Sequence, residues 1–392
     1  MVMKTQNFYI FLILLLFPFS EILANGWVKR TNLGGVGRHR GTGVSIGLKG
    51  YIGLGHVNGT GVNYAFSDWW EYDPSSNSWT QKADYLPGPS YGAAAFSVGT
   101  KGYVGSGVYI GSEWYEFDPL TNQWTQIANA PSFGTELTAF VVNDKGYLVN
   151  GSNLYEYNPT SGTWAIKASA PYSFSAWSCS FSIGNSGYVL RNGNFYEYKP
   201  SVDQWLARAS FPGIATGGSA AFSVHGKGYV VAGYGGSLSN VSRETWEFNP
   251  STNTWSMLEE MPGSSRRFVV GFSIGNKGYI GTGTNGTNFK DFWEFDYLLS
   301  DLTRDKELFK INTYPNPATD HFTLDLSSVP SEMNISDVEV ILYDFSGRMV
   351  LRQRLLTNTE RVDVSSLSNG TFVYHIRYNE TTIRNGKIIV SK

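Results

Sequence analysis

Aromatic and apolar residues return along this chain at a long and regular spacing. An aromatic residue followed by Trp seven positions later occurs five times: Tyr72 and Trp79, Phe117 and Trp124, Tyr157 and Trp164, Tyr198 and Trp205, Phe248 and Trp255. Each copy follows a Gly-Tyr pair, and a sixth Gly-Tyr pair, Gly278 and Tyr279, precedes Phe295. A period of about 40 to 50 residues is long enough for four short strands joined by tight turns. The pattern predicts six β-sheet units.

Trp27 indicates how the sixth unit is completed. Phe295 has Leu302, not Trp, seven positions later, whereas Trp27 precedes the first repeat and opens a segment like those that follow the other repeat Trp residues. A single unit cannot bury both faces of its sheet, so neighbouring units must stack and close a ring. We therefore predict a six-bladed β-propeller over residues 25–297, closed by a strand at Trp27.

The repeat resembles the kelch repeat. The shared features are glycines in the second strand, an aromatic residue in the third strand and Trp seven positions later. The kelch diglycine is degenerate here: Gly235-Gly236 is a direct pair, but Gly53-Leu54-Gly55 carries an inserted residue. Over about residues 27–297 the ring is similar to kelch propellers of the galactose-oxidase superfamily, which implies an all-β propeller fold.

The two ends of the chain have a different character. Residues 1–24 contain an apolar run at 8–19 that ends near Ala24, which predicts a signal peptide and is too short for a membrane span of about 20 residues. We expect no membrane span in the mature chain. Residues 298–311 lack the repeat and are predicted to be a linker. Alternating apolar positions in 312–392 predict short antiparallel strands and a small immunoglobulin-like β-sandwich.

This C-terminal region resembles the sorting domain of the type IX secretion system of Bacteroidota. The motifs that carry the resemblance include Tyr314, Pro315, Asn316, Pro317, Gly347, Gly370 and Lys387. It implies the type IX machinery as a partner. It also implies passage across the outer membrane of a Gram-negative bacterium, followed by release or attachment to surface lipopolysaccharide. The expected location is the cell surface or the medium.

Charge and metal-binding residues exclude several classes of function. The formal net charge is −2 with no long basic stripe, so we do not expect nucleic acid as a partner. The five His residues show no metal-ligand spacing, and Cys179 is the single cysteine, interpreted as a small core residue. We expect no metal and no cofactor. Copper-oxidase chemistry is rejected because no pair of His ligands accompanies Cys179.

The candidate site follows from aligning the six predicted inner strands. Propeller pockets lie at the mouth of the central channel, where the segments that precede the inner strands converge. The candidate ligand-binding residues there are Arg38, His39, Arg40, Tyr91, Glu136, Trp177, Arg266, Arg267 and Phe268. Because blades six and one adjoin, we expect four of these arginines in one sector, facing an anion. Long second-to-third strand loops at 234–244, 284–291 and 56–68 should wall that side.

Three functions remain open at this point. We favour a binding module for a glycan or a surface or host protein, with an anionic preference and with Trp177 as a platform for a sugar ring. The alternative is an enzyme, since the ring resembles kelch propellers that interconvert anomers of sialic acid; Glu136 and His39 would then transfer protons. The third is a structural surface or matrix protein.

Overall fold

The computed structural model describes residues 26–59, 61–174, 176–296, 311–329, 333–378 and 381–392. The predicted signal peptide lies outside the described residues, as does the predicted linker apart from Ile311. Within the described ranges the fold is all-β, with one short 3-10 turn at Ile335–Asp337. Six four-stranded sheets precede one three-stranded and one further four-stranded sheet, which confirms the predicted fold class.

Twenty-six strands belong to the propeller part of the chain. In order they are β1 Trp27–Arg30, β2 Thr42–Ile46, β3 Lys49–Gly53, β4 His56–Gly59, β5 Val62–Ala65, β6 Trp69–Asp73, β7 Ser78–Lys82, β8 Ala94–Val98, β9 Lys101–Gly105, β10 Trp114–Asp118, β11 Gln123–Gln126, β12 Thr138–Val142, β13 Lys145–Asn150, β14 Asn153–Asn158, β15 Thr163–Lys167, β16 Cys179–Ile183, β17 Ser186–Arg191, β18 Asn194–Lys199, β19 Gln204–Ala207, β20 Ala220–Val224, β21 Lys227–Tyr234, β22 Val241–Asn249, β23 Thr254–Met257, β24 Val270–Ile274, β25 Lys277–Gly281 and β26 Phe292–Asp296.

The blades follow one another along the chain, and the sixth is completed from the other end. Blade one is β2-β3-β6-β7, blades two to five use β8 to β23 in groups of four, and blade six is β24-β25-β26-β1. Strand β1 pairs antiparallel with β26, which places Trp27 opposite Phe295 with their ring centroids 5.0 Å apart. Strand β1 therefore supplies the fourth strand of blade six.

The repeated Trp residues join each of blades one to five to the blade before it by a hydrogen bond. Trp79 Nε1 donates to the Thr31 carbonyl at 2.9 Å, and the Thr31 amide donates to Asn77 Oδ1 at 2.9 Å. The same Trp bond, to the residue four positions after the preceding repeat Trp, recurs at Trp124, Trp164, Trp205 and Trp255. This bond explains why Trp returns once in every unit.

The Gly-Tyr pairs are explained by close packing between neighbouring inner strands. A Cβ placed on Gly146 would lie 2.2 Å from the ring of Phe96 in the preceding blade, and one on Gly187 would lie 2.1 Å from Phe140. These distances are too short for any side chain, so glycine is required where a Phe ring crosses the next strand. The Tyr that follows stacks on the Phe of its own blade, as Tyr147 does on Phe140 at 5.1 Å.

The C-terminal region is a two-sheet sandwich. Its strands are β27 Asn312–Tyr314, β28 His321–Asp325, β29 Val338–Tyr343, β30 Met349–Arg354, β31 Thr359–Asp363, β32 Gly370–Tyr378 and β33 Thr381–Val390. The sheets β27-β28-β31 and β30-β29-β32-β33 enclose a core that includes Phe322, Leu342 and Ile376. Asn316 links the first motif to the last strand, because its side chain donates to the Lys387 carbonyl and accepts from the Ile389 amide, both at 2.9 Å.

The other motif residues of this region lie at turns and strand ends. Tyr314 is half exposed at the end of β27, with Pro315 and Pro317 on either side of Asn316. Gly347 has φ +81° in the turn between β29 and β30, a backbone conformation that favours glycine. Gly370 is the first residue of β32. The motif therefore marks the turns and edges of the sandwich rather than its core.

Candidate functional site

A closed ring of backbone hydrogen bonds joins the six blades at one end of the central channel. Each blade contributes the residue two positions before its inner strand, and all six residues have positive φ: Arg40, Gly92, Glu136, Trp177, Gly218 and Phe268. The amide of each donates to the carbonyl of its counterpart in the preceding blade, at 2.7 to 3.2 Å, and the Arg40 amide completes the cycle by donating to Phe268. We call these six residues the mouth ring.

Four members of the mouth ring are not glycine. Left-handed backbone is uncommon for such residues and costs about 1 to 3 kcal/mol at each position. Arg40, Glu136, Trp177 and Phe268 adopt it with φ between 54° and 70°. The ring of backbone hydrogen bonds holds this conformation and directs one side chain from each of these four blades toward a common place.

Arg40 and Glu136 form the charged centre of the mouth. Arg40 Nε lies 3.3 Å from Glu136 Oε1, and their side chains are 23% and 12% exposed. The Arg40 guanidinium also lies 4.6 Å from the Phe268 ring and 5.8 Å from the Trp177 ring. Arg40 Nε, Glu136 Oε1 and Trp177 Nε1 are buried without a hydrogen bond of normal geometry. Buried polar atoms usually have partners, so these three atoms are suited to a polar ligand.

Burial changes the protonation of Glu136. It raises the pKa of the carboxyl from 4.5 to about 7, although the Arg40 charge and the Trp177 indole both act to lower the pKa. Near neutral pH the carboxyl is therefore divided between its protonated and ionised forms. When it is protonated, it no longer neutralises Arg40.

His39 lies beside this centre but is neutral at physiological pH. Burial, and then the charge of Arg40, lower its pKa to about 4, while the hydrogen bond to Asn288 acts to raise it. His39 Nδ1 donates to Asn288 Oδ1 at 2.7 Å. The ring is in edge contact with His56 at 5.2 Å, and His56 stacks on Tyr91 at 4.4 Å. Of the two residues predicted for proton transfer, Glu136 is the one that titrates near neutral pH.

Arg267 supplies a second positive charge. Its guanidinium lies 5.3 Å from the Phe268 ring and donates to the Leu238 carbonyl, while its Nε atom is buried without a hydrogen bond. Burial and the nearby Arg40 charge lower the pKa of Arg267 below its usual value. Within the described residues Arg267 has no carboxylate partner, so Glu136 is the one acidic group paired with either arginine.

Arg38 and Arg266 do not take part in this site. Each is almost completely buried and forms a two-pronged ion pair, Arg38 with Asp68 and Arg266 with Asp291. Each also donates to two backbone carbonyls. Their donors are thus occupied within the protein. The expected sector of four arginines is corrected to two, Arg40 and Arg267, because Arg38 and Arg266 are held by carboxylates of the loops that precede the third strands, Asp68 and Asp291.

Trp177 lies partly buried in an aromatic group, where the sequence predicted a platform for a sugar. Its ring lies 5.6 Å from Phe268 and 5.9 Å from Tyr234. Arg191 stands 5.9 Å from the same ring, and its guanidinium donates to the Thr216 carbonyl and to Tyr234 Oη. The aromatic surface of the mouth therefore continues from blade four through blade five to blade six.

Four residues of the mouth are absent from the predicted ligand-binding set, although the loops that contain three of them, His56, Tyr234 and Asn288, were predicted to wall the mouth; the fourth is Arg191. All four lie at or after the second strand of a blade. Aligning the inner strands could not find them, because the loops after the second strands differ in length and cannot be aligned. The composition of these loops is a signal that could have identified the four residues, since the loops are rich in polar and aromatic residues.

The walls of the mouth are uneven. Blades three and four have tight turns, with Asn150 opposite Asn153 and Arg191 opposite Asn194. Blade one inserts the hairpin β4-β5, and blade five extends β21 and β22 beyond the other blades. A groove of about 830 Å³ between blades six and one shares Asn288 with the mouth but is lined by no mouth-ring residue; its lining includes Val36, Phe66, Trp70 and Lys290.

Across the described ranges no three His, Cys, Asp or Glu side chains are grouped closely enough to hold a metal ion. None of the helices described there is long and apolar enough to cross a membrane.

Comparison with known proteins agrees with both parts of the fold. The family described as Secretion system C-terminal sorting domain matches residues 312–391, and the Kelch motif matches residues 215–262. No curated protein matches significantly. Among solved structures, one described as "Structure of YjhT" is similar with a TM-score of 0.58 and 17% identity, covering 67% of this chain and 95% of that one. Since 815 solved chains match, the fold alone does not select a function.

Proposed function

Because this chain is a kelch-repeat β-propeller that carries a C-terminal sorting domain for type IX secretion, we propose that the exported propeller binds an acidic glycan at its mouth. The sorting domain directs the protein to the cell surface or the medium, where glycans are accessible. We further propose the exterior of a Gram-negative outer membrane as the location. The observation that carries the binding proposal is the neighbouring pair Arg40 and Arg267, for which Glu136 is the one acidic partner among the described residues.

The charge balance of the mouth favours an anion. The Arg40 and Arg267 guanidinium groups lie near each other, and the carboxyl that pairs with Arg40 has a pKa of about 7, so this pair of arginines and Glu136 together carry a net positive charge at neutral pH. Guanidinium groups bind carboxylate and sulfate through paired hydrogen bonds. Arg40 Nε and Arg267 Nε are both buried without a hydrogen bond. An acidic group of a ligand would supply an acceptor to Arg267 Nε and would compete with Glu136 Oε1, 3.3 Å away, for Arg40 Nε.

The aromatic rings beside the arginines favour a sugar as the molecule that bears the acidic group. Trp177, Phe268 and Tyr234 are in mutual ring contact at 5.6 to 6.0 Å, directly beside the charged pair. Binding sites combine apolar and aromatic surface with a few polar groups that fix orientation. A uronic or sialic acid presents an apolar C–H face for the rings and a carboxylate for the arginines.

A glycan array with sialylated, uronic and sulfated glycans tests the proposal. The purified protein is screened at low and high salt beside the double variant Arg40→Gln with Arg267→Gln. The control is Arg354→Gln with Arg384→Gln, which removes the same charge from two exposed arginines of the sandwich. We expect salt-sensitive binding to acidic glycans by the wild type and the control, with at least a tenfold loss in the mouth variant.

Two results would reject the proposal. Equal binding by the mouth variant and the wild type would exclude the arginines as the recognition element. Failure of the folded wild type to bind any acidic glycan would instead support a protein partner or a structural role at the surface.

The protonation of Glu136 favours one second candidate, an enzyme that exchanges the anomers of an acidic sugar. A carboxyl with a pKa near 7 can both accept and donate a proton at neutral pH. Its carboxylate would take the proton of the anomeric hydroxyl as the ring C–O bond breaks and pass that proton to the departing ring oxygen, which leaves an open-chain carbonyl and a hydroxyl. When the ring closes on the other face, the carboxylate would take the proton of that hydroxyl and return it to the new anomeric oxygen.

Exchange spectroscopy on N-acetylneuraminic acid tests this candidate. Faster exchange with the wild type, lost in Glu136→Gln while binding persists, would establish the enzyme. An exchange rate equal to that of buffer, in the presence of binding, would leave the protein a binding module.

A further inference from the structure

Tyr109 has an unusual position beside the mouth. Its side chain is 79% exposed, although tyrosine is a large aromatic residue. Its backbone is left-handed, with φ 76°, in the loop between β9 and β10. For a bulky residue this conformation is an outlier that costs about 1 to 3 kcal/mol. The strain is not offset by burial of the ring.

The loop around Tyr109 is held firmly in place. The Val108 amide donates to the Tyr91 carbonyl at 3.0 Å, and Ser90 Oγ donates to the Val108 carbonyl at 2.7 Å. On the other side of Tyr109, Ile110 is buried in the core between blades one and two. The residues before and after Tyr109 are thus fixed, and the aromatic ring between them is held out in solvent.

Tyr109 continues the aromatic surface of the mouth outward. Its ring makes an edge contact with Tyr91 at 6.2 Å, and Tyr91 stacks on His56 at 4.4 Å. The Arg40 guanidinium lies 5.9 Å from the same Tyr91 ring. Two ring contacts therefore lead from the charged centre to Tyr109. That separation suits the neighbouring unit of an oligosaccharide whose acidic unit lies at Arg40.

We propose that Tyr109 is a second sugar subsite, which binds a neutral pyranose adjacent to the acidic unit. The ligand class is then an acidic oligosaccharide of at least two units, rather than a free acidic monosaccharide. An exposed aromatic ring on a fixed backbone binds the C–H face of a sugar at little entropic cost, because a tyrosine side chain has only two torsions to order. This inference rests on the proposed function of the mouth.

The test compares chain lengths. The array is extended to acidic mono-, di- and trisaccharides, and Tyr109→Ala and Tyr109→Phe are screened beside the wild type. Leu120→Ala is the control, since Leu120 is a 93% exposed apolar residue at an outer turn of the same blade. We expect Tyr109→Ala to weaken binding of di- and trisaccharides about three- to tenfold, with monosaccharide binding unchanged. Tyr109→Phe and Leu120→Ala should match the wild type.

Three negative results have different consequences for the Tyr109 subsite and for the proposed function of the mouth. If the wild type binds acidic oligosaccharides and Tyr109→Ala binds them equally well, the subsite is wrong and the proposed function stands. An equal loss for mono- and oligosaccharides would also overturn the subsite, because Tyr109 would then act on the mouth as a whole. If the wild type binds no acidic glycan, the proposed function fails and the subsite fails with it.

Discussion

The Arg40 Nε atom lies 3.3 Å from Glu136 Oε1, although these residues belong to blades one and three. Between them in the mouth ring stands Gly92 of blade two. A Cβ on Gly92 would lie 2.8 Å from Glu136 Oε1, so the carboxyl occupies the space that a side chain of blade two would need. A missing side chain in one blade therefore permits an ion pair between its two neighbours.

Ligand affinity should depend on pH through Glu136. The pKa of its carboxyl is about 7, so Glu136 is mostly ionised and paired with Arg40 at pH 8, and mostly protonated at pH 6. A carboxylate or sulfate ligand competes with the ionised form for Arg40. We expect the dissociation constant to fall by up to about tenfold from pH 8 to pH 6. Titration of the protein with the tightest glycan from the array measures this change.

Glu136→Gln is the control for that pH dependence. The variant should bind at pH 8 as the wild type does at pH 6, with a flat profile. Because burial raises the pKa of Glu136 from 4.5 to about 7, the wild type loses stability as pH rises through that interval. Between pH 5 and pH 8 the free energy of unfolding of the wild type should therefore fall by up to roughly 3 kcal/mol relative to that of Glu136→Gln. A wild-type affinity that does not vary with pH would contradict the protonation assigned to Glu136.

Gly92→Ala should disturb the ion pair, and the chain offers a matched control. Gly92 and Gly99 have similar backbone, with φ 64° and 59°, but a Cβ on Gly99 would meet no atom within 4 Å. Both substitutions carry the same backbone strain of about 1 kcal/mol. Only Gly92→Ala would displace the Glu136 carboxyl from Arg40.

The readout is the pH profile of binding, which backbone strain alone does not alter. We expect Gly99→Ala to keep the wild-type profile and Gly92→Ala to shift its midpoint by half a unit or more, since the carboxyl changes its surroundings. Identical profiles for the two variants would show that Gly92 has no part in placing Glu136.

The sequence predicts the ring but not what each ring residue does. The repeat Trp and the Gly-Tyr pair are visible because each meets a fixed packing demand: Trp79 bonds to the preceding blade, and Gly146 allows Phe96 to cross. These packing contacts recur from blade to blade, so the residues that make them recur at a regular spacing along the sequence. The mouth ring is also predictable in position, because it lies at a constant offset from the inner strands.

Side-chain direction at the mouth could not be predicted from that offset. Arg38 and Arg40 are two positions apart, yet Arg38 is buried against Asp68 and Arg40 faces the channel. The left-handed backbone at Arg40 breaks the alternation of a regular strand, and the partner Asp68 lies in a loop whose register the repeat does not fix. The anionic partners of Arg38 and Arg266 were therefore invisible to an alignment of inner strands.

Arg38 and Arg266 should contribute to stability and not to recognition. Replacing either by Ala leaves a carboxylate, Asp68 or Asp291, without its cation in a largely buried position. Breaking such a pair costs about 3 to 5 kcal/mol. Chemical denaturation should show this loss, and Lys at position 38 should restore little of it, because Lys cannot form the two-pronged bond. The folded fraction of Arg38→Ala should retain the glycan affinity of the wild type. A loss of affinity at unchanged stability would instead show that Arg38 is a ligand-binding residue.

Closure of the ring at Trp27 makes the last strand of blade six sensitive to substitution. Trp27 is 7% exposed and packs in one core cluster with Phe222, Tyr229 and Phe295, so it joins β1 to blades five and six. Trp27→Ala should lower the free energy of unfolding by about 3 to 5 kcal/mol through the cavity that it leaves. Val36→Ala, at a residue 52% exposed, is the control and should change stability by less than about 0.5 kcal/mol.

Deletion of residues 26–33 should go further and cause unfolding or aggregation, since it exposes the edge of β26. Urea denaturation of both variants and size-exclusion chromatography of the deletion measure these effects, and an unchanged midpoint after the deletion would mean that β1 does not hold the ring closed.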